Sequence, residues 1–273
     1  MKTAAKFPWP FLLIAYGWAW LWSIPVILTR QDYQSSPLLL LVVFIAIFGP
    51  GLAGIILTYR DGDWEKRRDF WRRLLDFRRM RLGWIALMLL LWPALHLLAN
   101  TVSRALGSEP PASEMVMELT AQPLLIPVIV ILYFLQAGIE DLGWRGYMLE
   151  RILQSRSPAK ASLIVGVFHA FWHVPFFLIV GTNQMRMGFD FDFLMFVAQA
   201  VSFSFFATWW YLGNRHSTLA AILTHTVGNL CNDIFTLQAG TMSFQLYTLF
   251  MVIGAILISL AWLKRKEVLQ YAH

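Results

Sequence analysis

The chain has 273 residues, of which 58% are apolar and only 14% are charged, whereas soluble domains carry about 25% charged residues. This composition excludes an ordinary water-soluble domain and predicts an all-α polytopic membrane protein surrounded by a lipid bilayer. The net charge of +6 does not indicate a nucleic-acid partner, because the basic residues lie in short segments between apolar blocks. Those blocks are about 20 residues long, the length of helix that crosses a bilayer core.

Eight apolar blocks in chain order predict eight transmembrane helices in a single integral membrane domain over residues 1–273. We place them at about 9–29, 37–59, 83–105, 123–140, 160–181, 192–213, 217–236 and 243–263. The first block follows Lys2 and Lys6 and lacks the short apolar core and small-residue cleavage site of a signal peptide, so we interpret it as an uncleaved span. The seventh block is the least apolar, because it contains His225 and Asn229 among other polar residues, and arrangements with seven spans remain open.

The distribution of basic residues predicts the orientation, because Lys and Arg concentrate in cytoplasmic loops. Segment 60–82 is the most basic part of the chain, and we place it inside. Alternation of the spans then puts 19 of the 22 Lys and Arg residues inside and only Arg30, Arg104 and Arg186 outside. We therefore expect a multi-pass protein of the cell membrane with both termini in the cytoplasm.

The loop 64–81 has an amphipathic pattern. Its apolar residues recur near helical spacing between the basic ones; they are Phe70, Trp71, Leu74, Leu75 and Phe77. This pattern predicts a helix that lies on the inner leaflet. A solvated charged loop is the alternative.

Three polar clusters lie within the predicted spans, where an ionisable group costs about 2.5–3.5 kcal/mol and usually faces a cavity or a partner. The first cluster, at the cytoplasmic end of the fourth span, contains Glu140 and Asp141, with Arg145 four residues later. Arg145 is the cation placed to pair with Asp141, which leaves Glu140 free to face elsewhere. The alternative is an ordinary interfacial charge cluster that ends a span.

The other two clusters are pairs at i and i+4, so each pair shares one face of its helix. In the fifth span, His169 and His173 suit either two metal ligands or one catalytic histidine and one packed histidine. In the seventh span, His225 and Asn229 can both donate hydrogen bonds and could together stabilise an oxyanion. Hydrogen bonding between helices is the alternative for this last pair.

The three clusters together predict hydrolysis by an activated water molecule. Glu140 would remove a proton from water, a histidine would share or relay it, and His225 and Asn229 would hold the carbonyl oxygen. No Ser or Cys nucleophile comes with a paired base, and we interpret Cys231 as a packing residue.

Three motifs resemble those of the CPBP (Abi, CAAX-protease-like) intramembrane proteases, whose best-known members are the Ras-converting CAAX endopeptidases. They are Glu140-Asp141-x-x-x-Arg145, His173-Val174-Pro175 and His225-x-x-x-Asn229, within a CPBP-like core at about 120–263. The resemblance implies an eight-helix fold with a site open toward the cytoplasm. It implies Glu140 as the base, His173 as its partner, His225 and Asn229 as carbonyl or oxyanion binders, and Asp141 and Arg145 as supporting residues.

The chain departs from the family pattern at two positions. Asp141 stands where the family usually has a second glutamate, and His169 stands where it usually has Phe. We expect the shorter carboxylate to affect rate more than mechanism, and we favour a packing role for His169.

No cofactor is firmly predicted, although zinc is a candidate. A zinc site would use Glu140, His173 and His225, with His169 as a fourth candidate ligand. A glutamate that binds zinc is no longer free to act as the base, so we favour direct activation of water with at most a weakly bound metal.

The sequence thus predicts an intramembrane endopeptidase that cuts a peptide or protein substrate near the cytoplasmic membrane face. The role would be CAAX-type cleavage, bacteriocin or peptide processing, or immunity. One alternative is a non-catalytic membrane immunity or scaffold protein. Another is a proton-coupled transporter, because buried Glu and His also build proton relays, although the chain lacks the internal repeat typical of transporters.

Overall fold

The structure is a computed structural model that describes residues 7–270, with side chains described through residue 264. Lys2, Lys6 and the two chain ends, which entered the orientation argument, lie outside the described residues. All regular structure within the described part of the chain is helical, which confirms the all-α class.

The helices follow one another with short connections. The first seven are α1 (Trp9–Thr29), α2 (Pro37–Ala46), α3 (Gly49–Asp61), α4 (Trp64–Leu75), α5 (Leu82–Ala105), α6 (Glu114–Ala121) and α7 (Leu125–Gly143). After a π-helix over Trp144–Leu149 come α8 (Glu150–Leu153), α9 (Pro158–Trp172), α10 (Asn183–Met187), α11 (Phe191–Gly213), α12 (Thr218–Ile234) and α13 (Met242–Gln270).

Among the described residues, six helices are long and apolar enough to cross a membrane, and the pair α2 and α3, bent by 43°, makes a seventh if it counts as one span. The polytopic prediction is therefore confirmed, but the count differs from eight at the predicted span 217–236. That segment forms α12, which has only 17 residues, of which ten are buried. A helix enclosed by protein needs no apolar surface for lipid, and this explains its polar composition.

Glycines allow the backbones of α1, α3 and α7 to approach closely. A Cβ atom on Gly49 would overlap the carbonyl oxygen of Ala15 in α1, and one on Gly143 would overlap the carbonyl of Pro50. Small residues permit such close helix packing in membranes. This contact fixes the end of α7, where Glu140 lies, against the bent pair.

Within the segment 64–81, for which a helix is predicted, residues Trp64–Leu75 form α4 and Phe77–Arg79 form a 3₁₀ turn. Helix α4 begins where the Asp63 carboxylate accepts a hydrogen bond from the backbone N–H of Lys66. Arg73, which is buried, donates a hydrogen bond to the hydroxyl of Tyr211 at 2.8 Å and lies 3.2 Å from the Glu150 carboxylate. These contacts attach α4 to α8 and α11.

The connecting segments meet at two ends of the bundle. At one end, the side chain of Arg79 donates a hydrogen bond to the carbonyl of Arg215 at 2.8 Å, which joins two of the basic loops. At the other end, the backbone N–H of Tyr33 donates to the carbonyl of Val180 at 3.1 Å. The loops thus pair in the way that alternating spans require, while the side of the membrane that each end faces stays a prediction.

Candidate active site

Glu140 and Asp141 lie in the last turn of α7, and both are buried. The helix then continues as the π-helix Trp144–Leu149, in which Arg145 is fully buried. Single π turns are rare and occur frequently at functional sites. The sequence motif Glu140-Asp141-x-x-x-Arg145 does not predict this change from an α-helix to a π-helix.

The ion pair that the i, i+4 spacing predicted is present. The Arg145 NH1 atom donates to the Asp141 Oδ1 atom at 2.5 Å, with both side chains fully buried. The other oxygen of Asp141 lies 3.4 Å from Nδ1 of His225, which comes from α12. Asp141 therefore links two of the three motifs.

His169 lies against Glu140, which differs from the packing role favoured from the sequence. Its Nε2 atom is 3.0 Å from the Glu140 Oε2 atom, and its Nδ1 atom is 3.4 Å from NH1 of Arg145. His169 therefore contacts two of the motif residues directly. The i, i+4 spacing to His173 was the only sequence signal for its presence at the site.

His173 ends α9 and is half-buried, just before Pro175 in the 3₁₀ helix Val174–Leu178. Its Nδ1 atom lies 3.0 Å from the backbone carbonyl oxygen of His169. A carbonyl only accepts, so Nδ1 carries the proton and Nε2 keeps a free lone pair. A ligand atom of His173 lies within 4.8 Å of those of Glu140 and His169.

His225 and Asn229 lie one turn apart on α12. The ring of His225 is buried, 6.0 Å from the ring of His169 and 4.8 Å from that of Phe203. Asn229, one turn later, is half-buried, and its amide has no hydrogen-bond partner among the described residues. The three motifs thus converge, but the group of three metal-ligating side chains contains His169 in place of the predicted His225.

Two surface cavities, of about 690 and 600 Å³, lie away from this group. The larger is lined by Tyr59 and residues of α4, and the smaller by Trp9, Arg60 and Tyr147 among others. Neither is lined by Glu140 or a site histidine.

Comparisons with known proteins bear on the resemblance seen in the three motifs. Residues 122–231 match the family model described as type II CAAX prenyl endopeptidase Rce1-like, a range that contains all three motifs. The chain is also 27% identical over 241 residues to the CAAX prenyl protease 2 of Methanococcus maripaludis, covering 87% of this chain and 88% of that relative. The resemblance drawn from the three motifs is therefore confirmed, and these similarities support a CAAX-protease-type membrane enzyme.

Proposed function

We propose that the protein is an endopeptidase in which Glu140 and His173 activate water directly. One observation supports this most strongly: a carboxylate oxygen of Glu140 and one ring nitrogen each of His169 and His173 lie within 4.8 Å of one another. A water molecule between Glu140 and His173 would lie within hydrogen-bond reach of a carboxylate oxygen and of a ring nitrogen.

The reaction would proceed by addition and elimination. Glu140 takes one proton from water as the water oxygen bonds to the carbonyl carbon of the substrate. The resulting oxyanion accepts hydrogen bonds from His225 and Asn229. When the carbon–nitrogen bond breaks, Glu140 returns the proton to the leaving amine, so the enzyme ends in its starting state.

The substrate is a peptide or protein segment held at the membrane, and the reaction occurs near the cytoplasmic face. The family match and the name of the archaeal relative support a CAAX-type carboxyl-terminal segment. Processing of another membrane peptide, including a bacteriocin, would use the same chemistry. Synthetic prenylated and unprenylated versions of one peptide distinguish the two, because only a CAAX-type enzyme should need the prenyl group.

Glu140→Gln tests the function, because it keeps the shape of the side chain and removes the base. We expect cleavage to fall by about 10²- to 10⁴-fold, the usual contribution of general acid–base catalysis. The measurement is mass spectrometry of membrane peptides from cells that express either form, followed by assay of the purified enzyme.

Glu118→Gln is the matched control, because Glu118 is exposed on α6, outside the site. It should cleave at the wild-type rate. If folded Glu140→Gln protein yields the same peptides at the same rate as wild type, Glu140 is not the base, and a non-catalytic role for the motif gains support.

A further inference from the structure

His169 belongs to a buried chain of polar contacts that ends on the proposed base. Arg145 NH1 contacts Asp141 Oδ1 at 2.5 Å and His169 Nδ1 at 3.4 Å, and His169 Nε2 contacts Glu140 Oε2 at 3.0 Å. All four side chains are buried. One nitrogen of Arg145 therefore joins Asp141 and His169. These are the two positions at which the chain departs from the family pattern.

The direction of each hydrogen bond in this chain follows from the chemistry of its members. A guanidinium can only donate, so Nδ1 of His169 must accept from Arg145 and carries no proton. The neutral imidazole then carries its proton on Nε2, where it donates to the carboxylate of Glu140. Arg145 NH1 carries two hydrogens, so it can donate one hydrogen bond to Asp141 and another to His169.

We infer that Arg145 holds His169 in the Nε2–H tautomer, so that His169 positions the Glu140 carboxylate and leaves its other oxygen to bind water. His169 is a positioning residue, because it acts through Glu140 and need not touch the substrate. This inference rests on the proposed role of Glu140 as the base.

The same geometry argues against His169 as a metal ligand. A histidine that binds a metal usually donates its other ring N–H to a carboxylate, a carbonyl or water, and the other nitrogen of His169 faces a donor. His173 does fit this pattern of a metal-binding histidine, because its Nδ1–H donates to a carbonyl. His225 lies outside the group of ligand atoms that are within 4.8 Å of one another, so Glu140 and His173 alone fall short of the three protein ligands of a catalytic zinc site. The local donor set therefore does not fit zinc.

Two substitutions at His169 separate hydrogen bonding from packing. His169→Gln can accept from Arg145 through its amide oxygen and donate to Glu140 through its amide nitrogen, so we expect it to keep most of the activity. His169→Leu introduces a side chain of similar size that can neither accept from Arg145 nor donate to Glu140. Its kcat should fall by about 10- to 100-fold with KM little changed, as expected for the loss of a hydrogen bond to a charged group.

His96 provides the control for the loss of a buried histidine. It lies in α5, where it contacts the carbonyl of Trp92 and the amide of Asn232. His96→Leu should lower thermal stability without the selective loss of kcat. Equal activity of folded His169→Leu and wild type would overturn the inference, as would an equal loss in His169→Gln and His169→Leu.

A second measurement does not depend on turnover. Nitrogen-15 NMR of histidine-labelled protein in lipid, assigned with His169→Gln, should show a neutral Nε2–H ring at His169. A ring protonated on Nδ1, or stoichiometric zinc that is lost in His169→Gln, would contradict the inference. If instead the proposed function is wrong, Glu140→Gln should keep wild-type activity. This result is distinct from the outcomes that test the role of His169.

Discussion

The two proposed oxyanion donors differ in what they contact. His225 directs Nδ1 toward Asp141 at 3.4 Å, whereas the amide of Asn229 has no hydrogen-bond partner within residues 7–270. A donor without a partner in the resting enzyme can bind a developing oxyanion without first breaking another hydrogen bond. Asn229 is therefore the residue whose contribution should be specific to the transition state.

Asn229→Ala should lower kcat by about 10²- to 10³-fold, the usual effect of removing one oxyanion donor, while KM changes little. Asn100→Ala is the control, because Asn100 is also half-buried in a span but donates to the carbonyl of Phe235. A loss confined to KM in Asn229→Ala would show ground-state binding and would remove Asn229 from the proposed oxyanion site.

The position of the helix that carries Glu140 depends on a contact between backbones. Gly51 and Gly143 lie where α3 and α7 cross, and a Cβ atom on either would overlap a carbonyl oxygen of the other helix. Backbone atoms cannot rotate away as a side chain can, so the helices themselves must separate to admit a methyl group. The separation would move the end of α7 away from α9 and α12.

Gly143→Ala should lower the free energy of unfolding by roughly 1–3 kcal/mol, the usual effect of overpacking, and should also reduce cleavage. Thermal unfolding in detergent measures the first effect, and the peptide assay the second. Gly17→Ala is the control, because no atom lies within 4 Å of a Cβ added there. A Gly143→Ala protein as stable as Gly17→Ala would show that α3 and α7 are not in this close contact.

Arg73 attaches α4 to the bundle through Tyr211 and Glu150, and its replacement should release the helix. Arg73→Met removes the guanidinium that contacts both partners, so segment 60–82 should be cleaved faster by trypsin while the transmembrane helices persist. Arg72→Met, at an exposed position of the same helix, should leave the cleavage rate unchanged. Equal rates for the two variants would show that Arg73 does not hold α4 in place.

At the scale of the whole molecule, basic loops meet at one end of the bundle, as the contact between Arg79 and Arg215 shows. Segment 30–36 meets the loop that follows α9 at the opposite end, through Tyr33 and Val180. All the loops at one end therefore share the same side of the membrane, so fixing the side of one loop fixes the orientation of the molecule. The excess of Lys and Arg predicts that the basic end lies in the cytoplasm.

Single introduced cysteines test this orientation, because Cys231 is the only native cysteine and can be replaced by alanine. A membrane-impermeant thiol reagent added to intact cells should label Gln31→Cys and Pro110→Cys but not Ser155→Cys. Permeabilisation should expose Ser155→Cys. The opposite labelling pattern would invert the topology and would place the proposed site near the other membrane face.

The sequence predicted those features that depend on local pattern, and missed those that depend on contacts across the chain. Apolar length identified the lipid-facing helices, but α12 is shielded by protein and carries a weaker apolar signal. The i, i+4 rule found the pair of Asp141 and Arg145. No local rule could place His169 between Arg145 and Glu140, because that contact requires α9 to pack beside the π-helix.

The enclosure of α12 bears on how the protein is synthesised. With 17 residues and several polar side chains, this helix gains little from lipid and is a weak signal for the insertion machinery. Its stable place in the bilayer depends on α5, α7 and α11, which surround it. We therefore expect the helix that carries His225 and Asn229 to pack after those three have entered the membrane, so that a nascent chain acquires its proposed catalytic centre late in its assembly.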